Sequence, residues 1–416
     1  MKKTVLKLPL KSPRHFAPLV LMFATRARAS FAFPVFFPVV FRGSRPARPL
    51  DKAQRDAQNK AQTGTLGAIC IASSFFLALL APPANARADT FPSTIVPFTP
   101  FSGSLTVEIE NDKAAGTDRH YTHGTRISWV SDDQKGIPQS VRDLIDRLYP
   151  LHARKRQQIG FAIGQNIYTP ENIASTQLQT KDRPYAGWLY GGISLHGEGV
   201  GALAGMSYNV LDTMEIDLGV VGPLSLAKQT QTQVHKFLHV TRPRGWGNQL
   251  SNEPALDIIL QRKWRPHTPF RTRPLGIPLQ ADFIPHMGGS LGNVLTHLSA
   301  GGTFRLGQNI NFDFGPAHIQ PALPGRESFR EEGGLGWYLF AGGESRLVGR
   351  NIFLDGNTFA ASHHVDKNAV VWDFQLGMAA TLGRYRLTYT QIFRSREFRG
   401  QRQPDRYGAL SLTAKF

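Results

Sequence analysis

Beyond residue 100 the chain alternates apolar and polar side chains with a period of two. SLTVEIE (104–110) sets Leu105, Val107 and Ile109 on one side and Thr106, Glu108 and Glu110 on the other. IGFAIGQNIY (159–168) sets Ile159, Phe161, Ile163 and Ile167 against Gly160, Ala162, Gly164 and Asn166, and MEIDLGV, WDFQLGM, YRLTYTQ and GALSLTAKF repeat the pattern. A period of two is that of a strand with chemically different faces. Strands are predicted near 103–110, 123–131, 157–168, 186–196, 206–221, 255–264, 279–290, 296–306, 335–354, 370–382, 385–394 and 407–416.

The polar face would meet water in a soluble sandwich and line the lumen in a membrane barrel. Three features favour the barrel. The segments run about ten residues, as tilted spans do; Trp and Tyr recur near their ends, as in interfacial girdles; and Phe416 completes the last apolar set with Leu410, Leu412 and Ala414. The expected fold is therefore all-β: a twelve-stranded antiparallel transmembrane outer-membrane β-barrel with a helical extracellular loop. Closure removes the unpaired strand edges that lipid does not tolerate.

The first 86 residues differ in kind. They hold 13 Lys and Arg against 2 Asp, so about +11 of the net charge of +18 lies there, which removes the basis for a nucleic-acid partner. LGAICIASSFFLALLA (66–81), preceded by Lys60 and followed by PPANARADT, has the order of a secretory signal, with cleavage expected after Ala86 or Ala88. The expected organisation is an extension over 1–59 that reads as a start assigned too early, a signal peptide over 60–86, and the barrel over 87–416. The one cysteine, Cys70, falls inside the signal, so the mature chain would have no disulfide or thiolate chemistry.

With the N-terminus periplasmic, the connections after the first, third and fifth strands share the outer rim. They are NDKAAGTDRHY, TPENIASTQLQTKDRPY and the long piece 222–254. The connections after the second and eighth strands are longer than inner turns should be, and SVRDLIDRLYPL in the former reads as an amphipathic helix.

SLAKQTQTQVHKFLHV (225–240) has helix-forming composition, with Leu226, Val234, Phe237 and Leu238 available for one apolar stripe. His235 and His239 would share a face, but HKFLH lacks the Glu of the zinc-binding H-E-x-x-H pattern. Hydrolysing an ester needs a water deprotonated near neutral pH and a positive centre for the oxyanion. A rim histidine supplies the first, and a hard cation such as Ca²⁺ beside Asn111 and Asp112 could supply the second. An Asx turn capping a hairpin is the bland alternative for Asn111-Asp112. Gly288-Gly289-Ser290-Leu291-Gly292 matches G-x-S-x-G, but that elbow requires a strand-to-helix turn and here a further strand follows.

Asn111-Asp112, Asp118-Arg119, Tyr121-Thr122-x-Gly124, YTP (168–170), DRPYAGWLY (182–190), LGVVGP (218–223), His235, GWGNQL (245–250) and FLDGNTF (353–359), taken in order, resemble the outer-membrane lipid A 3'-O-deacylases of the LpxR type. The resemblance spans nearly the whole mature chain. It implies a twelve-stranded barrel in the bacterial outer membrane, with an extracellular site between the barrel's outer wall and a loop helix. It also implies Ca²⁺-dependent hydrolysis of the 3'-linked acyloxyacyl ester of lipid A. Carried over by position, His235 is the base, Asp112 with Asn111 holds the cation, and Thr122 orients the water or substrate. Arg119, Asp182 and Arg183 position phosphate or brace the loop, and Lys181 stands nearest the family's loop lysine, since 171–180 contain none. Thr241 occupies the place of an acidic residue that some members carry after the histidine. The alternatives left by the sequence are an outer-membrane phospholipase, whose serine-dependent form would use Ser290, and a non-catalytic barrel, porin or adhesin.

Overall fold

A computed structural model of the protein describes residues 102–112, 120–132, 155–316 and 334–416, with Asp143 and Phe329 besides. The extension, the signal segment, Arg119 and all but Asp143 of the segment 140–151 lie outside the described residues.

The strands are β1 (Gly103–Asn111), β2 (His120–Ser131), β3 (Arg156–Thr169), β4 (Ala186–Leu203), β5 (Met206–Val221), β6 (Glu253–Arg265), β7 (Phe270–Thr272), β8 (Leu279–Gly292), β9 (Leu295–Gln308), β10 (Leu335–Asn351), β11 (Val370–Leu382), β12 (Tyr385–Arg394) and β13 (Asp405–Lys415). Each long strand pairs antiparallel with the next, β1 pairs with β13, and β6 pairs with β8, so twelve strands close into a barrel. The sequence pattern misses only the three-residue β7, which hangs on β8 where the closing pair begins. β2 pairs directly with β3, so the expected parity holds: the connections 112–119, 170–185, 222–252, 293–294, 352–369 and 395–404 share one rim.

Two neighbouring rows across β1 to β4 show how the wall is made. Glu110, Gly124, Asn166 and Trp188 are paired in register, and so are Asn111, His123, Ile167 and Gly187 one step further along. The first row shares its face with Ser104, Thr106 and Glu108, all buried. The second shares its face with Phe161, Ile163 and Ile193, which are large, apolar and exposed. Polar residues that are buried and apolar residues that are exposed invert the soluble pattern, as a barrel in lipid requires. No helix among the described residues is long and apolar enough to cross a membrane; the strands do so.

Side chains close the lumen at both ends. Beneath the opposite rim, residues 309–316 fold inward, and the buried Asp313 carboxylate binds Arg305 at 2.5 Å and Arg386 at 2.6 Å and accepts from Tyr338 Oη at 2.8 Å. This use of Asp313 accounts for part of the length of the connection after β9. At the loop-rich rim the helix α2 (Ile352–Asp355), which follows β10, brings Phe353 onto the Tyr168 ring of β3 on the opposite wall, with centroids 3.8 Å apart. Between them, Asp373 joins Arg346 and Arg394, and Arg126 binds Glu215 at 2.7 Å. A water-filled porin channel does not fit a lumen occupied in this way.

Candidate active site

The connection 222–252 does not stand away from the barrel. Its helix α1 (Ala227–Phe237) lies on the outer side of the wall, over β3 and β4. Ile167 of β3 shares an apolar cluster with Ala227, Tyr185 and Trp246, and Gln165 Nε2 donates to the Ser225 carbonyl at 2.6 Å. Gln165 and Ile167 share parity with the exposed Phe161 and Ile163, which fixes α1 to the lipid-facing side. Gly187 makes the approach possible, because a Cβ there would collide with Ala227 Cβ and Ser225 Oγ. Trp246 Nε1 donates to Gln231 Oε1 at 2.8 Å and holds the middle of the helix.

The helix face turned to the wall is Ala227, Gln231 and His235. The apolar stripe expected from the sequence points elsewhere: Leu226, Val234 and Phe237 are exposed. His235 is 3% exposed, and its Nδ1 lies 2.6 Å from the Thr241 carbonyl oxygen. A carbonyl can only accept, so Nδ1 carries the proton and Nε2 is the acceptor of the neutral ring. The backbone of Thr241 thus sets the tautomer that a carboxylate would otherwise set.

His235, on the buried face of α1, and His123 of β2 lie on the same outer side of the wall. Asn111 Nδ2 lies 3.4 Å from His123 Nδ1, and His123 Nε2 lies 2.6 Å from Thr125 Oγ1. The amide donates to Nδ1, so the Nε2 proton goes to the hydroxyl. The β2–β3 register shifts between Tyr121 and His123, leaving Thr122 in a bulge, where its hydroxyl meets that of Thr169 at 2.8 Å. Asn111, Thr122 and His235 are therefore brought to one side of one stretch of wall. Asp112, buried, follows Asn111 directly. Sequence reading passed over His123, the unassigned position between Thr122 and Gly124. Alternation could have found it, since Gly124 and Arg126 face the lumen and 123 must face out.

Asp112 and Asn111 offer carboxylate and amide oxygens, hard donors of the kind Ca²⁺ takes. They fit it in kind and would fill part of a shell of about 6–8 oxygens. Among the described residues no three His, Cys, Asp or Glu side chains form a metal-holding group.

The other expected residues lie apart. Arg183 is fully buried, donates to Glu397 Oε2 at 2.7 Å, and stacks over Tyr168 and Phe398. That is the environment of a brace between connections 170–185 and 395–404, not of a group that meets a lipid phosphate. Asp182 braces as well: its Oδ1 lies 3.5 Å from His120 Nε2, and its oxygens accept from the backbone N–H groups of Glu171 and Arg183. Burial alone would raise the Asp182 carboxyl, but the His120 and backbone hydrogen bonds outweigh it and hold the group below its ordinary value. Lys181 is exposed on the same connection. His363 lies 2.7 Å from the Asp182 carbonyl, which makes it another rim brace. Ser290 faces the lumen, 2.8 Å from His297 Nδ1, within the continuous strand β8 and on the opposite side of the wall surface from α1. The nucleophile elbow is thus absent at Ser290.

A family model described as "Outer membrane protein LpxR" matches residues 70–416. Among solved structures, LpxR from Salmonella typhimurium superposes with a TM-score of 0.59 at 21% identity, covering 75% of this chain and all of that one. The β-domain of the Bordetella autotransporter BrkA gives a TM-score of 0.35 at 9% identity over 76% of this chain and 98% of that one. No curated protein sequence matches. A barrel with a filled lumen, a helix laid on its lipid-facing wall and a match over most of its length is an outer-membrane β-barrel that belongs to the LpxR family.

Proposed function

We propose that the chain is a lipid A 3'-O-deacylase, a carboxylic ester hydrolase that releases the 3'-linked acyloxyacyl group of lipopolysaccharide on the extracellular side of the outer membrane. The observation that carries this reading is the position of His235: buried between helix and wall on the lipid-facing side, with Nδ1–H committed to the Thr241 carbonyl. The lumen alternatives lose ground for the same reason, since the chemistry sits outside a filled barrel.

In this reading Nε2 of His235 takes a proton from water as the water oxygen bonds to the ester carbonyl carbon. The bond from that carbon to the sugar 3' oxygen then breaks, and the same proton passes to the departing alkoxide. Thr122 orients the water or the substrate. Asn111 and Asp112 hold the cation; Ca²⁺, when bound, supplies positive charge beside the developing oxyanion. Lys181 and Arg119 meet the lipid phosphates, and Arg183 keeps the neighbouring connections together.

The test is mass spectrometry of lipid A from cells producing the wild type, His235→Ala or Asp112→Ala, with Ca²⁺ and with chelator. Loss of the 3' acyl group with the wild type alone, prevented by either substitution or by chelation, is the expected result. Unchanged lipid A in every sample, with folded barrel in the membrane, overturns the reading.

A further inference from the structure

We infer that α1 is seated in the lipid layer itself, with its apolar stripe among the acyl chains of the leaflet and its basic residues at the anionic headgroups. His235, buried between this helix and the wall, then lies at the lipid boundary. The seating of the helix rests on geometry; its consequence for catalysis rests on the function proposed above.

The first ground is where the stripe points. Leu226, Val234 and Phe237 are 49%, 38% and 65% exposed on a helix whose buried face is already complete with Ala227, Gln231 and His235. Leu224 and Val240, just outside the helix, extend the same exposed apolar surface. A soluble loop exposing this much apolar area beside its docked face would be unusual.

The second ground is continuity. α1 rests on the side of the wall that bears Phe161, Ile163, Ile193 and Leu218, the apolar belt of the barrel. The stripe and the belt therefore face the same medium, and the belt's medium is lipid.

The third ground is charge. From Gly222 to Asn252 the chain carries Lys228, Lys236, Arg242 and Arg244 and no acidic residue, and all four cations are exposed. At 100° per residue Leu226 and Phe237 flank the buried face of α1 on one side and Lys228 and Lys236 flank it on the other, Lys228 about 160–180° and Lys236 about 80–100° round from the apolar pair. Apolar residues on one edge and Lys on the other make the pattern of a helix lying in a membrane interface, and the surplus of cations suits anionic headgroups.

The experiment uses the full chain, with Cys70 replaced by Ser, reconstituted in phosphatidylcholine–phosphatidylglycerol vesicles. Single cysteines at Leu226, Val234, Phe237, Lys228 and Lys236 carry a nitroxide whose collision rates with oxygen and with a water-soluble nickel chelate are read by electron paramagnetic resonance. Oxygen preference at 226, 234 and 237 with nickel preference at 228 and 236 is expected. Nickel preference at all five positions overturns the inference by placing the helix in water. Low access to both reagents at 226, 234 and 237, relieved on dilution of protein in lipid, overturns it in favour of a second copy covering the stripe. The readout needs no turnover, so an inactive protein with lipid-seated labels would refute the deacylase reading alone. A second variant links the two: Leu226→Asp with Phe237→Asp should lower hydrolysis of substrate in vesicles at least tenfold and leave hydrolysis in detergent micelles unchanged.

Discussion

Glu110, Gly124, Asn166 and Trp188 form one row across β1 to β4, and Asn111, His123, Ile167 and Gly187 form the next. The rows are one residue apart and belong to opposite sides of the wall. On the inner side charge is dense and matched: Glu110 accepts from Tyr121 Oη at 2.6 Å, Arg126 binds Glu215, and Arg305 is held between Asp282 and Asp313. On the outer side near α1 the polar groups named above are neutral amides, hydroxyls and imidazoles, among them Asn111, Gln165, Gln231, Thr122, Thr169, His123 and His235. Networks of matched buried charge hold a shape, and neutral titratable groups buried between a helix and a wall are candidates for chemistry.

The largest separation of the two sides is expected from Asp313→Ala. It leaves the Arg305 and Arg386 guanidinium groups buried without their shared carboxylate, at a cost of about 3–5 kcal/mol of folding stability. Unfolding in denaturant from detergent micelles measures it. The inner side is not structural in the sense argued if the midpoint stays put.

His235→Ala should do the reverse. Removing a general base lowers hydrolysis about 10²–10⁴-fold, while the unfolding midpoint stays near that of the wild type because α1 packs on the outside of a closed barrel. A barrel that unfolds early in this variant would instead make His235 a packing residue.

Gly187→Leu tests the contact between helix and wall. The new side chain meets Ala227 and Ser225, and overpacking of about 1–3 kcal/mol should push α1 off β4. The expected result is hydrolysis down about 10–100-fold in a barrel that still folds, since the strand pairing on either side of Gly187 is untouched.

The rim braces predict a pH dependence of the opposite kind from catalysis. Asp182 lies below its ordinary 3.8 through the hydrogen bonds that outweigh its burial, and Glu397 below its ordinary 4.5 because Arg183 and Arg394 outweigh its burial. A carboxylate depressed in the folded state adds stability above its unfolded value, and loses it as pH falls through the folded one. Limited proteolysis of connections 170–185 and 395–404 should therefore not rise as pH falls from neutral to about pH 5 and should rise only below the ordinary carboxylate range. Cleavage already rising near pH 6 would mean that another group holds the rim.

Much of this was legible in the sequence. The period of two located every long strand and the shared rim of the three polar connections, because a barrel wall writes its two media into alternate residues. What alternation could not give is anything set by register across strands. The bulge at Thr122 that turns its hydroxyl toward Thr169 comes from the pairing of β2 with β3. Arg183 reads as a phosphate ligand or a loop brace, and only the fold favours the brace by bringing Glu397, Phe398 and Tyr168 around it. The stripe of α1 was visible, but its direction was not: hydrophobic periodicity marks an apolar face without saying whether protein or lipid covers it.

Thr241 gives the smallest effect and the sharpest test of how His235 is held. The resemblance drawn from the sequence puts it in the place of an acid, and that difference would suggest a weakened base. The hydrogen bond runs to the Thr241 carbonyl, however, and the residue itself is exposed. Thr241→Ala keeps that carbonyl, so stability should move by no more than about 0.5 kcal/mol and hydrolysis by less than about threefold, since 0.5 kcal/mol is well under a factor of ten in rate. A tenfold loss would show that the side chain, not the backbone, positions the imidazole, and the tautomer argument would then have to begin from a different partner.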